Sequence, residues 1–444
     1  VVGGALYYSF RPRTELRVRE GFLVVSLTWL FLSLVGALPF VISGILPSYT
    51  DAVFETMSGL TTTGATIFGG TTSSGFANPG IETLPMSMLF WRSLAHWLGG
   101  MGIIVLSLAI LPLLGVGGMQ LFQAESPGPT TDKLTPRVQE TAKLLWGVYV
   151  AFTAVEFLLL WAHPSMDWFD AINHAFATLA TGGLSTKSAS IAAFDSVYVD
   201  TVITLFMFLA GINFAMHFRL LRGDVDSFFN NRETRFYSLI TAIAIVAISG
   251  SLWIFDEYSI GKALQYGAFQ AVSIITTTGF GTDDYELWYS FGGFFLFLLF
   301  FTGGCAGSTG GRPKMVRWMI IIRNSFREIK QIVHPKAILP IRIGDKTVDP
   351  NIQRTVLSFF VLYLIVFGFG ALVMATMGYG MESAIGASIA CLGNIGPGWG
   401  EFGPTDNFAQ IPIFGKWVLI IMMMIGRLEI FTVLLIFTPA FWKQ

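Results

Sequence analysis

The sequence predicts an all-α polytopic membrane protein with four repeats around a common axis, each a span, a re-entrant half-helix and a second span. Three observations support this fold class: low charge, long apolar segments and four similar Gly/Thr-rich loops. Of the 444 residues, 53% are hydrophobic and only 12% are charged. Soluble domains carry about 25% charged residues, so the composition indicates a membrane protein.

Long apolar segments supply the predicted spans. A helix needs about 20 mostly apolar residues to cross a bilayer. Segments that approach or exceed this length lie at 21–46, 88–114, 144–161, 198–220, 236–255, 287–301, 356–377 and 414–441. We expect residues 1–10 to be the end of a further helix rather than a signal peptide, because the run is short and Arg11 and Arg13 follow it.

Shorter, semi-polar segments separate the two spans of each repeat. They lie at 51–60, 167–179, 260–275 and 381–392, and a Gly/Thr-rich stretch follows each one. They are too short and too polar to span, so we interpret them as half-helices that enter the membrane and turn back. Non-helical backbone at membrane depth persists only where protein or a water-filled cavity covers it.

One glycine per repeat aligns the four quarters: Gly64, Gly183, Gly279 and Gly396. An apolar residue stands four positions before each of them, at Leu60, Leu179, Ile275 and Leu392. The glycines are roughly 100 residues apart, whereas solenoid repeats run about 20 to 50 residues. We predict a basic N-terminal segment at 1–20 and repeats at 21–120, 121–225, 226–345 and 346–444.

The distribution of Lys and Arg predicts the orientation in the membrane. One side carries basic clusters at 11–19, 133–143, 219–235 and 312–346, and the half-helix side carries most of the acids. By the positive-inside rule the basic side is cytoplasmic, so the half-helices enter from outside. An acidic outer mouth would raise the local cation concentration. The run at 312–346 is explained by this rule or by contact with anionic lipid or a regulatory subunit.

The four loops after the half-helices are expected to bind a dehydrated cation. They read Thr-Thr-Thr-Gly-Ala at 61–65 (loop 1), Ala-Thr-Gly-Gly-Leu at 180–184 (loop 2), Thr-Thr-Thr-Gly-Phe at 276–280 (loop 3) and Gly-Asn-Ile-Gly-Pro at 393–397 (loop 4). Stacked backbone carbonyls from four loops can replace the water shell of potassium. Glycine permits the unusual dihedrals, Thr hydroxyls add oxygens, and the negative C-terminal ends of the half-helices favour a cation.

The predicted selectivity filter contains the four aligned glycines and the residues just before them. The predicted potassium ligands are Thr62, Thr63, Thr181, Gly182, Thr277, Thr278, Asn394 and Ile395. The simpler interpretation is that such loops are ordinary turns. Their fourfold recurrence between a half-helix and a span argues against it.

Five motifs resemble those of one transporter family. They read Ser-Gly-Leu-Thr-Thr-Thr-Gly-Ala-Thr at 58–66, Trp-Leu-Gly-Gly-Met-Gly-Ile-Ile-Val at 97–105, Gly-Gly-Met-Gln-Leu at 117–121, Gly-Gly-Cys-Ala-Gly-Ser-Thr-Gly-Gly at 303–311 and Gly-Arg-Leu-Glu-Ile-Phe at 426–431. With them the chain resembles the Trk/Ktr/HKT superfamily of potassium transporters, most closely its TrkH branch, the membrane subunits of bacterial Trk systems.

The resemblance implies a potassium-channel-like pseudo-fourfold arrangement around a central pore, and a homodimer. It also implies a cytoplasmic nucleotide-binding regulatory subunit (TrkA-like). The chain departs from the family in two places: its relatives carry extra N-terminal helices, and loops 2 and 4 lack the triple Thr. Some plant members replace one filter glycine with Ser and favour sodium, so four retained glycines favour potassium.

A glycine-rich segment at 302–311 is the first candidate gate. It interrupts the second span of the third repeat with Gly303, Gly304, Gly307, Gly310 and Gly311, and includes Ser308 and Thr309. Each glycine costs a helix roughly 1 kcal/mol relative to Ala, so the helix is expected to break here. The broken backbone can line a cavity below the filter and move. The alternative is a passive kink or a helix-packing contact.

Arg427 is the second candidate gate. It lies near the middle of the last apolar segment, where an unpaired cation is costly and functional by default. We expect its side chain to project toward the pore beneath the filter and raise the barrier to cations. The alternative is a structural ion pair with a carboxylate from another span, such as Glu156. Arg92 and His96, near the start of a span, are interpreted as packing or interfacial groups.

The predicted function is potassium uptake across the bacterial cytoplasmic membrane by channel-like permeation. A sodium- or proton-coupled potassium symporter is the alternative, although such carriers usually contain two inverted halves rather than four quarters. An intramembrane enzyme is disfavoured, because zinc-protease, phosphate-loop and nucleophile-elbow motifs are absent from the sequence. We expect potassium as the bound ion, contact with membrane lipid, no covalent cofactor and no nucleic-acid partner.

Overall fold

The computed structural model describes residues 18–109, 134–344 and 346–442. In these ranges the chain is helical apart from loops and one antiparallel pair of two-residue strands, β1 (Arg342–Ile343) and β2 (Lys346–Thr347). Several sequence predictions lie outside the described residues: the segment 1–10, the motif at 117–121, and the basic residues Arg11, Arg13 and Lys133.

The helices follow one another in an order that recurs along the chain. They are α1 (Val18–Gly36), α2 (Leu38–Ile42), α3 (Tyr49–Leu60), α4 (Met86–Ala109), α5 (Leu134–Trp161), α6 (Trp168–Leu179), α7 (Val197–Ala210), α8 (Phe214–Leu221), α9 (Val225–Asn230), α10 (Arg232–Ile254), α11 (Ile260–Ile275), α12 (Ser290–Leu299), α13 (Met315–Val333), α14 (Pro350–Thr376), α15 (Met381–Gly393), α16 (Ile413–Arg427), α17 (Ile430–Leu434) and α18 (Pro439–Trp442).

Long apolar helices confirm the multi-pass membrane architecture. Helical stretches long and apolar enough to cross a bilayer lie at Glu20–Ile42, Glu140–Trp161, Arg232–Ile254 and Pro350–Thr376. Large apolar side chains on these helices point away from the protein; Phe31 is 65% exposed and Val246 is 72% exposed. Such surfaces are expected to face lipid rather than water.

The four predicted half-helices are confirmed as α3, α6, α11 and α15. Three of them begin at a side-chain cap: Ser48, Asp167 and Ser259 each accept a hydrogen bond from a backbone N–H in the first turn. These caps satisfy donors that a helix otherwise leaves unpaired. The half-helices are buried along most of their length, and each ends where its Gly/Thr-rich loop begins.

The second spans are broken more often than the sequence predicted. The break at 302–311 is confirmed, since α12 ends at Leu299 and α13 begins at Met315. The predicted spans at 198–220 and 414–441 are also broken, which the sequence analysis did not anticipate. Helices α7 and α8 meet at an angle of 101°, and α16 ends at Arg427 before α17 begins at Ile430.

Local hydrogen bonds explain the bend between α7 and α8. The Asn213 side chain accepts from Ala215 N (2.8 Å) and so starts a new helix. The carbonyl of Gly211 instead accepts from Cys305 N (2.8 Å), a residue of the interrupted third-repeat span. A capping side chain and a distant partner therefore replace the bonds that would have continued the helix.

Candidate functional site

Loops 1 to 4 leave their half-helices through the same backbone hydrogen bond. In each loop, the residue before the aligned glycine donates its N–H to the carbonyl five residues earlier. The pairs are Thr63 to Ser58 (2.8 Å), Gly182 to Ala177 (2.8 Å), Thr278 to Ser273 (2.9 Å) and Ile395 to Ala390 (3.0 Å). The chain therefore turns at the same point and in the same manner in all four repeats.

The backbone dihedrals of the loops also recur. Two positions in every loop have positive φ: 51° to 65° at Thr62, Thr181, Thr277 and Asn394, and 80° to 96° at Gly64, Gly183, Gly279 and Gly396. The residue between them does not have positive φ. This alternation differs from a strand, in which successive peptide groups point to opposite sides. It costs energy at the non-glycine positions, and such strain is typical of functional sites.

Close contacts join the four loops into a ring in chain order. A Cβ built on Gly64 would collide with the carbonyl oxygen of Gly182, one on Gly183 with that of Thr278, and one on Gly279 with that of Ile395. A Cβ on Gly396 would lie 2.8 Å from the carbonyl oxygen of Thr63, which closes the ring. Each aligned glycine thus lies against the carbonyl that precedes the glycine of another loop.

The hydroxyl groups in the loops mostly bind one another or neighbouring backbone. Thr61 and Thr63 share a hydrogen bond of 2.8 Å between their Oγ1 atoms, and Thr276 and Thr278 do the same. The Asn394 amide joins loop 4 to loop 1 by donating to Thr63 Oγ1 (2.9 Å). Among the described residues, the buried Thr62 hydroxyl has no partner, so it is available to an ion.

A cavity of about 180 Å³ is lined by the four aligned glycines and by residues that follow them in the chain. Its charged lining residues are Arg92, Lys187 and Asp406. Burial, together with the charge of Asp284, raises the pKa of Asp406 above its usual value. This lining is less acidic than the sequence suggested.

Ion pairs explain the weaker acidity of the mouth. Asp51 binds Lys416 (2.5 Å) and Asp170 binds Lys187 (3.1 Å). Glu55 binds Arg92 (2.8 Å), and both of these side chains are buried. The interfacial interpretation of Arg92 was therefore wrong, whereas packing describes it correctly. His96 is also buried, and its ring lies against Gly59 O (2.7 Å) and Leu184 N (3.3 Å).

The interrupted segment 302–311 lies directly against the inner ends of loops 3 and 4. A Cβ on Gly310 would lie 2.9 Å from Thr276 O, and one on Gly311 would lie 2.7 Å from Gly393 O. The backbone N–H of Gly311 donates to Thr277 Oγ1 (2.8 Å). This segment therefore lies against the ends of the third and fourth half-helices, and its role as a gate stays a prediction.

Charged residues that the sequence analysis missed hold this segment in place. The Glu233 carboxylate accepts from Ala306 N (2.7 Å), within the glycine-rich segment, and from Val316 N (3.0 Å), at the start of α13. Lys314 Nζ donates to Gly310 O and to Ser308 Oγ (3.2 Å). A sequence signal existed for Lys314, since a lysine directly after a membrane-depth glycine run is unusual. Glu233 gave none.

Part of the basic run 312–346 points inward, against the interpretation that it contacts lipid or a subunit. Arg312 is buried and donates to Leu299 O (2.5 Å) and to Ile274 O at the end of α11. Arg317 is buried and pairs with Glu429 (2.5 Å). These two cations stabilise the inner core, and for the exposed remainder of the run the cytoplasmic orientation and the contact with anionic lipid or a regulatory subunit stay predictions.

Arg427 connects the interrupted segment to the first repeat. Its guanidinium donates to Thr309 O (2.6 Å) and to Gly99 O in α4 (3.1 Å). Among the described residues no carboxylate pairs with it, so the alternative of an ion pair with Glu156 was wrong. Arg427 and the segment 302–311, predicted as separate gates, are in direct contact.

Comparison with known proteins gives consistent matches over the whole chain. The family model TrkH, described as cation transport protein, matches residues 1–444. Proteins named Trk system potassium uptake protein TrkH, from Halomonas elongata and Escherichia coli, are 42% and 43% identical to the chain. These alignments cover 99% and 100% of the chain, and 90% of each relative. A crystal structure titled as the potassium transporter TrkH from Vibrio parahaemolyticus superposes with a TM-score of 0.89 at 38% identity, over 100% of this chain and 90% of that one.

Proposed function

The chain belongs to the TrkH family of cation transport proteins, and from this premise we propose that it takes up potassium through a four-loop selectivity filter. Permeation would be channel-like, driven by the potassium gradient and the membrane potential. The relatives at 42% and 43% identity are named as potassium uptake proteins, which supports potassium as the transported ion.

The observation that carries the proposal is the ring of carbonyls. The carbonyls of Thr63, Gly182, Thr278 and Ile395 each lie against an aligned glycine of another loop. Four oxygens at one level are what a dehydrated potassium ion requires in place of its water. Each half-helix ends two or three residues before its ring carbonyl, and the negative end of its dipole would add favourable charge for a cation there. A second ring of candidate oxygens would come from the residues that directly precede the four ring carbonyls, namely Thr62, Thr181, Thr277 and Asn394.

The proposed gate is the segment 302–311 together with Arg427. The segment fills the space beneath loops 3 and 4, and Arg427 ties it to α4 through Thr309 O and Gly99 O. A buried cation in this place raises the barrier to a permeating cation. Opening would require the segment to leave Gly393 and Thr276, and loss of the Arg427 contacts would favour that movement.

The remaining elements of the proposal rest on the sequence pattern and on the family. They are a location in the bacterial cytoplasmic membrane with cytoplasmic basic loops, a homodimer, and regulation by a TrkA-like nucleotide-binding subunit. The division into four repeats at 21–120, 121–225, 226–345 and 346–444 belongs to the same proposal. Potassium is cargo rather than a cofactor.

One observation favours the second candidate function, a proton- or sodium-coupled symporter. Glu156 in α5 is fully buried, and neither carboxylate oxygen accepts a hydrogen bond from the described residues. An intramembrane carboxyl without a partner is a candidate proton carrier. The Thr178 hydroxyl, two residues before loop 2, lies beside Glu156, but it donates its hydrogen bond to His174 O (2.8 Å).

Flux measurements in liposomes that contain only this chain test the proposal. We expect rubidium and potassium to follow their own gradients, with sodium and lithium excluded, whatever proton or sodium gradient is imposed. Deleting part of 304–308 should raise the flux. Uptake that requires a sodium or proton gradient would instead support the symporter, and equal flux of all four ions would exclude a selective filter.

A further inference from the structure

Equivalent positions on three of the four half-helices hold the chain just after the loop. The residue nine places before the aligned glycine is Glu55, His174, Gln270 or Ala387 in the four repeats. Glu55 accepts from Thr66 Oγ1 (3.1 Å) and Ile67 N (3.1 Å), His174 contacts Ser185 Oγ (2.9 Å), and Gln270 donates to Asp283 O (3.1 Å). Three half-helices therefore brace the outer part of their own loop by a side chain from one position.

The first repeat differs because its brace is charged and extends to a second repeat. Arg92 donates to Glu55 (2.8 Å) and to Thr66 Oγ1 (3.2 Å). Its other terminal nitrogen donates to Ser185 O (3.2 Å), in the chain after loop 2. Thr66 and Ser185 both stand two residues after an aligned glycine, so one guanidinium joins equivalent points directly after two neighbouring loops.

We propose that Arg92 is a positioning residue that, held by Glu55, fixes the spacing of loops 1 and 2 and thereby sets discrimination between potassium and sodium. This inference rests on the proposed function of the loops as a selectivity filter. Arg92 need not touch the ion. The guanidinium of Arg92 is rigid and planar, so its hydrogen bonds hold the chain after loop 1 and the chain after loop 2 at a fixed separation.

The physical basis is the sensitivity of ion selection to the oxygen ring. Selection between potassium and sodium depends on the size of the ring or on the number and field of its carbonyls. Either property changes when two loops move apart. Charge-assisted hydrogen bonds in a buried site are short and directional, which makes them suitable for resisting that movement.

The same half-helix offers a matched control. Asp51, one turn before Glu55, forms a second buried ion pair with Lys416 (2.5 Å). Lys416 also donates to Ala409 O (2.9 Å), so this pair ties α3 to the chain well beyond loop 4 and does not bond the residues two or three places after an aligned glycine. Both pairs are buried to a similar degree. The two pairs differ in the bonds of their cations: Arg92 bonds the residues directly after loops 1 and 2, whereas Lys416 does not.

The variants are designed to avoid leaving one buried charge alone, since that defect destabilises a protein by itself. Glu55→Gln with Arg92→Gln removes both charges and the bond to Ser185. Asp51→Asn with Lys416→Gln removes both charges of the control pair. Arg92→Lys keeps the charge but replaces the fork by a single ammonium, which cannot reproduce all three contacts.

The experiment measures the ratio of rubidium to sodium uptake in liposomes, after size-exclusion chromatography confirms a folded chain. We expect the ratio to fall about tenfold in the Glu55→Gln/Arg92→Gln variant and to fall less in Arg92→Lys. The control pair should keep the wild-type ratio within about twofold, even if its yield is lower.

A wild-type ratio in the folded Glu55→Gln/Arg92→Gln variant would overturn the inference. If that variant does not fold, Arg92→Lys decides, and a wild-type ratio there would overturn it. An equal fall in the control pair would also overturn it, because buried charge anywhere on α3 would then have the same effect. A wild-type chain that itself does not discriminate rubidium from sodium would refute the proposed function instead.

Discussion

The fourfold repetition is regular in one part of the molecule and irregular in another. The regular part, called the outer half here, contains loops 1 to 4, and the irregular part, the inner half, contains the second spans. In the outer half, all four loops share one backbone hydrogen bond of 2.8 to 3.0 Å and the same two positions of positive φ. In the inner half the second spans diverge. The first is continuous over Met86–Ala109, the second bends by 101°, the third is interrupted between Leu299 and Met315, and the fourth breaks after Arg427.

This difference corresponds to two requirements of the proposed gated pore. A ring of oxygens needs equal contributions from each quarter, so deviation in any loop weakens ion binding. A gate needs two states of unequal energy, and an element present in one quarter only can move without disturbing the ring. The interrupted segment 302–311 and Arg427 belong to the diverging half, whereas the aligned glycines belong to the repeated half.

The largest loss of ion uptake is expected when an aligned glycine in the repeated half is replaced by a residue with a side chain. In Gly279→Ala the added Cβ would collide with Ile395 O at a φ of +80°, so we expect rubidium uptake to fall by about 100-fold. Gly147→Ala is the control, because a Cβ at Gly147 in α5 meets nothing within 4 Å. Retention of wild-type uptake in Gly279→Ala would show that the ring does not conduct.

The diverging half is tested by removing its link to the first repeat. Arg427→Ala removes the hydrogen bonds to Thr309 O and Gly99 O. It also removes a positive charge beneath the ring, so rubidium uptake should rise by about tenfold. Arg354→Ala, at an exposed position on α14, serves as the control for loss of an arginine. Lower uptake by a folded Arg427→Ala chain would assign Arg427 a structural role instead.

A smaller effect is expected from Glu286, outside the spans and before α12. Burial raises its pKa to about 7, helped by the charges of Asp284, Asp406 and Glu382 and opposed by the bond from Gly400 N (2.6 Å). The folded state therefore binds more protons than the unfolded state between pH 4.5 and about 7, and stability falls as pH rises across this window.

Thermal unfolding across this pH window checks the effect. Glu286→Gln should flatten the profile by less than about 1 kcal/mol, because solvent screens a half-exposed carboxyl. Glu401→Gln, a nearby exposed acid, should leave the profile unchanged. An identical pH profile for wild type and Glu286→Gln would contradict the prediction.

The smallest change in ion uptake is expected from replacing Glu156, which lies in α5 and outside loops 1 to 4. Gln has the same shape and removes a carboxyl that has no cation partner among the described residues. For a channel-like pore, Glu156→Gln should keep rubidium uptake within about twofold of wild type. A large loss, together with loss of any dependence on the proton gradient, would favour the symporter.

The sequence was sufficient to predict the repeated half, because its determinants are local. Hydrophobic segments of span length, capped half-helices and a glycine at a fixed distance from each half-helix can all be recognised within about 20 residues. The same locality explains the correct prediction of the break at 302–311, where five glycines make a continuous helix unfavourable.

The other two breaks escaped the sequence analysis for a physical reason. Lipid and the protein interior are both apolar, so an apolar segment does not reveal whether its helix is straight or bent. The bend after Ala210 depends on Cys305, which takes the carbonyl of Gly211, and Cys305 is distant in sequence. The break near Glu429 accompanies its ion pair with Arg317.

By itself, then, the sequence determined the membrane class, the half-helices, the four loops and one broken span. Only the tertiary structure decided the order in which the loops close into a ring, the burial of Arg92 with Glu55 between two loops, and the contact of Arg427 with Thr309. Each of these depends on which distant groups satisfy a buried charge or carbonyl. That choice is made by packing across the whole fold, because a buried polar group must find a partner wherever the chain brings one.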